Sequence, residues 1–131
     1  MADFVTTDYV IGIVASLLSS LSVPRYLKSA PDFTALRQQT PAEYVVINSL
    51  PINANVMQKC YINVNYHVKD KIEGVEDSAA IQAGSTAVMA LLKTVTTTAF
   101  LIDFESQETI REESRGEHYS NLRFSFKYIN Y

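Results

Sequence analysis

The feature that most constrains the fold is a regular alternation of apolar and polar residues within residues 116–129. The apolar positions are Leu122, Phe124, Phe126 and Tyr128, and the polar positions between them are Asn121, Arg123, Ser125 and Lys127. A period of two places one side of a β-strand on a core and the other side in water. The pattern therefore predicts a strand that closes a small sheet.

Length and composition indicate one domain over residues 1–131. The chain is 47% apolar and 19% charged, a globular composition with enough length to bury a core. Its formal net charge of −3 does not favour nucleic-acid binding, which would need a separate basic patch, and none is visible in the sequence. A lone cysteine, Cys60, excludes an intramolecular disulfide and cannot by itself form a zinc site. Asp3 and Asp8 precede the first apolar run, so we expect no signal peptide and no membrane span.

Two stretches carry apolar residues at helical spacing. Residues 7–22 follow the capping oxygen of Thr6, and residues 77–95 begin with the capping residues Asp77 and Ser78. Small residues within the second stretch, Gly84 among them, predict a helix that lies close against a sheet. Both stretches are predicted to be helices.

The remaining segments predict two hairpins and one connection. Residues 42–69 contain two β-rich runs around a turn, and residues 99–130 predict a long final hairpin with its tip near residues 113–116. Residues 24–41 carry three prolines and predict an irregular connection. The fold expected is α+β, in the order α-β-β-α-β-β. It has a four-stranded antiparallel sheet, both helices on one face, and a last hairpin that projects.

No constellation of residues predicts chemistry. His67 and His118 fall at strand positions that point to solvent or to a neighbouring subunit, and neither has a partner at metal-ligand spacing. Asp103 and Glu105 share a strand face, but paired carboxylates without a nearby base or cleft are typical of a solvated strand. We therefore predict no catalytic, cofactor-binding or metal-binding residues and no enzymatic activity.

Charged residues of both signs cluster around the tip of the final hairpin. The candidates for contact with a neighbouring subunit are Glu108, Arg111, Glu112, Glu113, Arg115, Glu117, His118 and Tyr119. An equally weighted interpretation is a solubilising tip that blocks edge pairing. Deletion of residues 107–115, which add little to the core, is expected to leave the domain folded but to impair assembly.

The order of elements resembles the tail-completion proteins of tailed bacteriophages and prophages, also called tail-terminator or head-to-tail joining proteins. The matching pieces are the helix at residues 7–21, the strands at residues 43–47 and 61–66, the helix at residues 78–92, and the ending at residues 116–126. The long connection at residues 24–41 departs from many members of the family.

The resemblance implies a non-catalytic virion protein, made in the bacterial cytoplasm, that needs no cofactor. Copies of the chain would form a ring, often hexameric, between the tail-tube and head-connector proteins. Such a ring ends tail growth and lets DNA pass without specific binding. Two alternatives stay open. One is another neck or minor tail component of the virion. The other is a small cytoplasmic enzyme or ligand-binding domain with a pocket near Asp103, Glu105 and His67.

Overall fold

The structure, a computed structural model, describes residues 4–129. Asp3 and the last residue of the predicted final hairpin, residue 130, lie outside the described residues. The described chain forms two helices and one six-stranded mixed sheet. The elements are α1 (Thr7–Leu17), β1 (Arg25–Leu27), β2 (Glu43–Ser49), β3 (Met57–Lys69), α2 (Ser78–Leu92), β4 (Thr94–Thr96), β5 (Phe100–Glu112), a 3-10 turn (Glu113–Arg115) and β6 (Glu117–Ile129).

The predictions of a four-stranded antiparallel sheet and of the order α-β-β-α-β-β are both wrong, because one more strand precedes β2 and another follows α2. The strand order is β1-β2-β3-β6-β5-β4, and β1 runs parallel to β2. The two additional strands lie at the two edges and have three residues each, which is too short to show a period of two. β1 lies within the connection predicted to be irregular. The backbone N–H of Val45 donates to Pro24 at 2.9 Å, and the N–H of Lys28 donates to Ile47 at 2.7 Å.

Both helices end earlier than predicted. Helix α1 ends at Leu17 instead of residue 22, because the serines that follow compete for backbone hydrogen bonds and favour turns. Helix α2 ends at Leu92 instead of residue 95. The next residues, Thr94–Thr96, are all β-branched and pair with β5 as the edge strand β4.

The two long inner strands, β3 and β6, fix the register of the whole sheet. They pair antiparallel from Met57 with Ile129 to Lys69 with Glu117. Strand β6 is therefore paired with β3 along its entire length, and the final hairpin does not project away from the sheet as predicted. The expected projection fails because β3 is as long as β6.

The main core lies between both helices and one face of the sheet. Its fully buried members are Val10, Val14, Leu18, Val45, Ile47, Ile62, Val64, Val88, Leu92, Ile102, Phe124 and Phe126. On the opposite face, the connection after β1 covers one corner of the sheet, where Phe33 packs on Tyr44 and Val46. The rest of that face, over β3 and β6, carries polar side chains.

Replacing Gly84 by alanine is expected to destabilise the chain by about 1–3 kcal/mol, because it overfills the contact between α2 and the sheet. A Cβ at this position would overlap the ring of Tyr66. That ring is buried, and its hydroxyl donates to Glu43 at 2.7 Å, so it cannot move away freely. Chemical denaturation measures the change.

Gly12 provides the matched control. A Cβ added at Gly12 in α1 meets nothing within 4 Å. Gly12→Ala should therefore stabilise the chain by about 0.5–1 kcal/mol, since alanine is the better helix former. Effects of the same sign at Gly12 and Gly84 would contradict the packing of Tyr66 on α2.

Candidate functional site

Strand β5 presents a free backbone edge. Strand β4 covers its outer side only at Leu101, Ile102 and Asp103, and no described strand lies beside the remainder. The N–H of Phe104 donates outward to Lys93 at 3.0 Å, and the N–H of Ile129 donates to Ala99 at 2.9 Å. These two bonds, with the irregularity between Phe104 and Ser106, fix which backbone groups face outward.

Beyond the register shift between Phe104 and Ser106, the backbone groups that face away from β6 belong to Gln107, Thr109 and Arg111. Each of these residues presents an N–H and a C=O away from β6. Their side chains share the helix face of the sheet, whereas Glu108 and Glu112 share the opposite face. We call residues 106–112 of β5, with these outward groups, the free edge.

The eight residues predicted as interface candidates fall into three environments. Exposed residues are Glu108, Arg111, Glu113 and Arg115; half-buried residues are Glu112, His118 and Tyr119; Glu117 is buried. Among the described ion pairs, none within 4.0 Å involves a charged residue of the free edge. Four of the eight candidates are therefore exposed, and Glu108 and Arg111 are the two of these that lie on the free edge.

Arg115 is exposed, but it is engaged within the chain. Its guanidinium lies 5.6 Å from the centroid of the Phe33 ring and donates to the carbonyl of Pro31 at 3.4 Å. Arg115 thus holds the connection after β1 against the hairpin turn, which limits its use in contact with another subunit.

Glu117 lies at the centre of a buried polar cluster that the sequence did not predict. Its Oε1 atom accepts a hydrogen bond from the Tyr44 hydroxyl and lies 2.8 Å from Nδ1 of His67. The His67 ring is stacked between two tyrosine rings, with centroids 4.5 Å from Tyr44 and 4.7 Å from Tyr119. We call Tyr44, His67, Glu117 and Tyr119 the root cluster, because it joins the start of β6 to β3 and β2.

The root cluster corrects the predicted environments of Glu117 and His67. Glu117 is 2% exposed and presents no side-chain surface to a neighbour. His67 is 8% exposed instead of pointing into solvent. His118 is also engaged within the chain, since its Nδ1 lies 2.6 Å from Oδ1 of Asp70. Each of the two histidines thus pairs with a carboxylate beside the start of β6.

The chemistry of the root cluster is that of a satisfied buried carboxylate. A carboxylate on Nδ1 orients an imidazole as it does in general-base catalysis. The described hydrogen bonds, however, place no serine, threonine or cysteine hydroxyl or thiol on His67. Burial, together with the hydrogen bond to Glu117 and its charge, raises the pKa of Tyr44, so its hydroxyl remains a donor.

Two tyrosines are expected to make the fold sensitive to alkali. Burial, and then Glu43, raises the pKa of Tyr66, as burial and Glu117 do for Tyr44, from the ordinary 10.0. Their neutral forms stabilise the fold fully below the unfolded pKa, and this contribution is lost as the pH rises above it, because the unfolded chain then releases the protons.

Urea unfolding over a series of pH values, with phenolate absorbance, measures this loss. Tyr66→Phe should reduce the slope of stability against pH above 10.0. Titration of all tyrosines near pH 10.0 without unfolding would contradict it.

A cleft of about 520 Å³ lies between α2 and the part of β5 and β6 that is nearer the hairpin turn. Ser85 on the helix donates to Ser120 on β6 at 2.7 Å, and Gln107 on β5 donates to the same hydroxyl at 2.9 Å. The cleft walls include Ile81, Met89 and Phe104 as well as polar side chains. These hydrogen bonds connect this part of the final hairpin to α2.

The pocket expected near Asp103, Glu105 and His67 is not formed by these residues. Asp103 is level with Ser125 on β6, and His67 is level with Tyr119. Six strand residues separate the two levels, or about 20 Å. The three side chains therefore do not converge.

Within residues 4–129, no group of three His, Cys, Asp or Glu side chains could hold a metal ion. None of the described helices is long and apolar enough to cross a membrane. Cys60 is 3% exposed, and burial raises the pKa of its thiol. Its side chain belongs to the main core.

Comparison with known proteins leaves the family open. No family model matches the chain, and no curated protein sequence is significantly similar to it. Function is therefore proposed from the surfaces described above and from the resemblance that the sequence suggested.

Sequence reasoning missed the root cluster because its members are distant in the chain. Glu117 is 73 residues from Tyr44 and 50 residues from His67. Their meeting depends on the β3–β6 and β2–β3 registers, which alternation alone does not fix. One signal in the sequence was that His67 and Glu117 stand near the ends of two alternating runs.

Proposed function

We propose that the protein is a non-catalytic structural subunit of a phage or prophage virion, which assembles with copies of itself into a ring at the head–tail junction. The ring ends the tail tube and lets DNA pass. The observation that carries this proposal is the free edge of β5. The resemblance to tail-completion proteins supplies the location.

The free edge has the character of an interface between subunits. An unpaired strand edge offers backbone donors and acceptors to any strand that approaches it. Glu108, Arg111 and Glu112 alternate in sign along this edge and belong to no described ion pair. Strand addition by a neighbouring subunit would satisfy the outward backbone groups and give these charges partners.

The sheet has two unlike edges, which allows a heterologous contact between subunits. Its other edge is β1, which is short and parallel to β2 and carries Leu27 with 50% of its surface exposed. A contact between two different edges is heterologous, and heterologous contacts close into rings when the rotation between subunits permits. We therefore place the free edge of one subunit beside the β1 side of the next.

The end of the sheet opposite the hairpin turn supplies a second contact surface. Phe4, Leu50, Val56 and Met57 all lie at this end, and their exposed fractions run from 38% to 75%. Exposed apolar side chains gathered in one place are typical of protein contact surfaces. In a ring at the junction, this apolar end would meet a tail-tube or head-connector protein.

The test uses the phage or prophage that encodes the chain. Removing its gene should give separate heads and tails when particles are viewed by electron microscopy, and a plasmid copy should restore joined particles. Labelled antibody against the chain should bind at the neck. Joined particles of normal form without the chain would overturn the proposal, and labelling elsewhere in the particle would assign it to another virion component.

A further inference from the structure

The face of the sheet opposite both helices, which we call the free face, carries a group of cations that the sequence does not reveal. Lys59 on β3 lies directly opposite Lys127 on β6. Lys59 Nζ is 5.2 Å from the centroid of the Tyr61 ring, and the Arg123 guanidinium is 5.9 Å from the same centroid. We call Lys59, Arg123 and Lys127 the basic patch.

The pairing of Lys59 with Lys127 is unfavourable in the isolated chain. The N–H of Lys59 donates to Asn53 on the side away from β6, so the two lysines form the narrower type of antiparallel pair. Like charges directly opposite in a sheet destabilise it. Among the ion pairs described within residues 4–129, none includes a residue of the basic patch. An unneutralised pair of this kind, in a chain of net charge −3, points to an anionic partner.

A row of side-chain amides beside the basic patch orients Arg123 along the sheet. Arg123 Nε donates to Asn63 at 3.3 Å, and Asn121 donates to Asn65 at 2.6 Å. Asn63 itself donates to Asn48 at 3.0 Å. Helices α1 and α2 both pack on the other face, so the part of this face over β3 and β6 presents amides and cations.

We infer that the basic patch contacts the phosphates of double-stranded DNA. Phosphate oxygens complement lysine and arginine, and a rigid duplex presents its phosphates to a flat surface. A single strand would bind chiefly by stacking its bases on aromatic rings. The Tyr61 ring is a poor platform for stacking, because Lys59 and Arg123 lie over it. The assignment of this face to the DNA channel rests on the proposed function. Binding of DNA by the basic patch does not depend on the formation of a ring.

The contact is weak and independent of sequence. Three cations release about three counterions, which gives a slope of roughly −2.7 for the logarithm of affinity against the logarithm of salt concentration for each chain. Asp103 lies opposite Ser125, beside the patch, and Glu108 lies opposite Asn121. These carboxylates limit the affinity, as a channel through which DNA slides requires.

Fluorescence anisotropy of a labelled mixed-sequence duplex at low salt tests the inference, with sedimentation of the same samples to record assembly. The chain should bind, and its affinity should fall with salt at the slope given above. Lys59→Glu with Lys127→Glu should lower the affinity at least about tenfold, because it reverses two of the three phosphate contacts. The matched control is Lys71→Glu with Lys93→Glu, which changes the net charge equally at exposed sites outside the free face. It should retain binding within about twofold.

Three results would overturn the inference: no binding at low salt, equal loss in both double variants, or tighter binding of a single strand of equal length. Failure to bind DNA by a chain that still assembles would overturn this inference and leave the proposed function intact. DNA binding by a chain that never assembles would support the inference and count against the ring.

Discussion

Glu117→Ala is expected to lower the free energy of unfolding by about 1–3 kcal/mol for each buried hydrogen-bond donor that it leaves without an acceptor. The substitution leaves Nδ1 of His67 and the hydroxyl of Tyr44 without their acceptor in a buried site. It also opens a space between the stacked rings and the start of β6. Urea denaturation followed by circular dichroism gives the change.

Two variants make the Glu117 result specific. Glu117→Gln keeps an acceptor oxygen for Tyr44 and should cost less than the alanine variant. Glu113→Ala removes an exposed carboxylate four residues away, in the 3-10 turn, and should change stability by less than about 0.5 kcal/mol. Similar losses at Glu113 and Glu117 would show that the root cluster does not hold the hairpin.

Thr109→Pro is expected to abolish ring assembly while the subunit stays folded. The outward N–H of Thr109 is not used by β6, so its loss removes no hydrogen bond from the described sheet. Proline is tolerated on edge strands for this reason, and the extended backbone of Glu108 suits the position before proline. An approaching strand would lose one donor and meet the proline ring. We expect each contact to weaken at least about tenfold, or about 1.4 kcal/mol, and a ring repeats the loss at every contact.

Thr109→Ala is the matched control for the proline variant. Both variants remove the hydroxyl that accepts from Gln107 at 3.2 Å, but only alanine keeps the backbone N–H. Thermal melts should be similar for both variants, and analytical ultracentrifugation should show assembly only for alanine. Assembly by the proline variant at the concentration used for the unmodified chain would exclude strand addition at the free edge.

The two long hairpin strands and both helices follow from local patterns that are strong enough to predict them. The alternation around Phe124 and the small residues around Gly84 each have one physical solution, which is a half-buried strand and a closely packed helix. The edge strands could not be predicted in the same way. Three residues at Arg25–Leu27 gain strand structure from pairing with β2, and this is a long-range effect.

For the candidate surfaces too, exposure was predictable from local sequence, whereas contacts between distant strands were not. Glu108 and Arg111 were correctly expected at the surface, because a strand of polar residues has no apolar face to bury. Glu117 was misplaced, since its burial depends on Tyr44 and His67 arriving from other strands. The same holds for the basic patch, whose members are brought together by the β3–β6 register.

The β5–β6 register changes the outcome expected for deletion of residues 107–115, because the shortened chain could no longer form the sheet. Ser106 lies beside Arg123, whereas Gly116 precedes the start of β6, seven residues away from Arg123. Joining Ser106 to Gly116 would have to span about 23 Å. The deletion would pull Glu117 and its neighbours out of the sheet, so point substitutions on the free edge are the better probe of assembly.

Native mass spectrometry of the purified chain, alone and mixed with tail-tube and head-connector proteins, tests the central claim most directly. The subunit mass is 14.7 kDa. A closed ring predicts one discrete multiple of this mass, which is lost in Thr109→Pro and kept in Thr109→Ala. A monomer under every condition, or a continuous ladder of sizes, would contradict the proposal that this chain builds a ring through the free edge of β5.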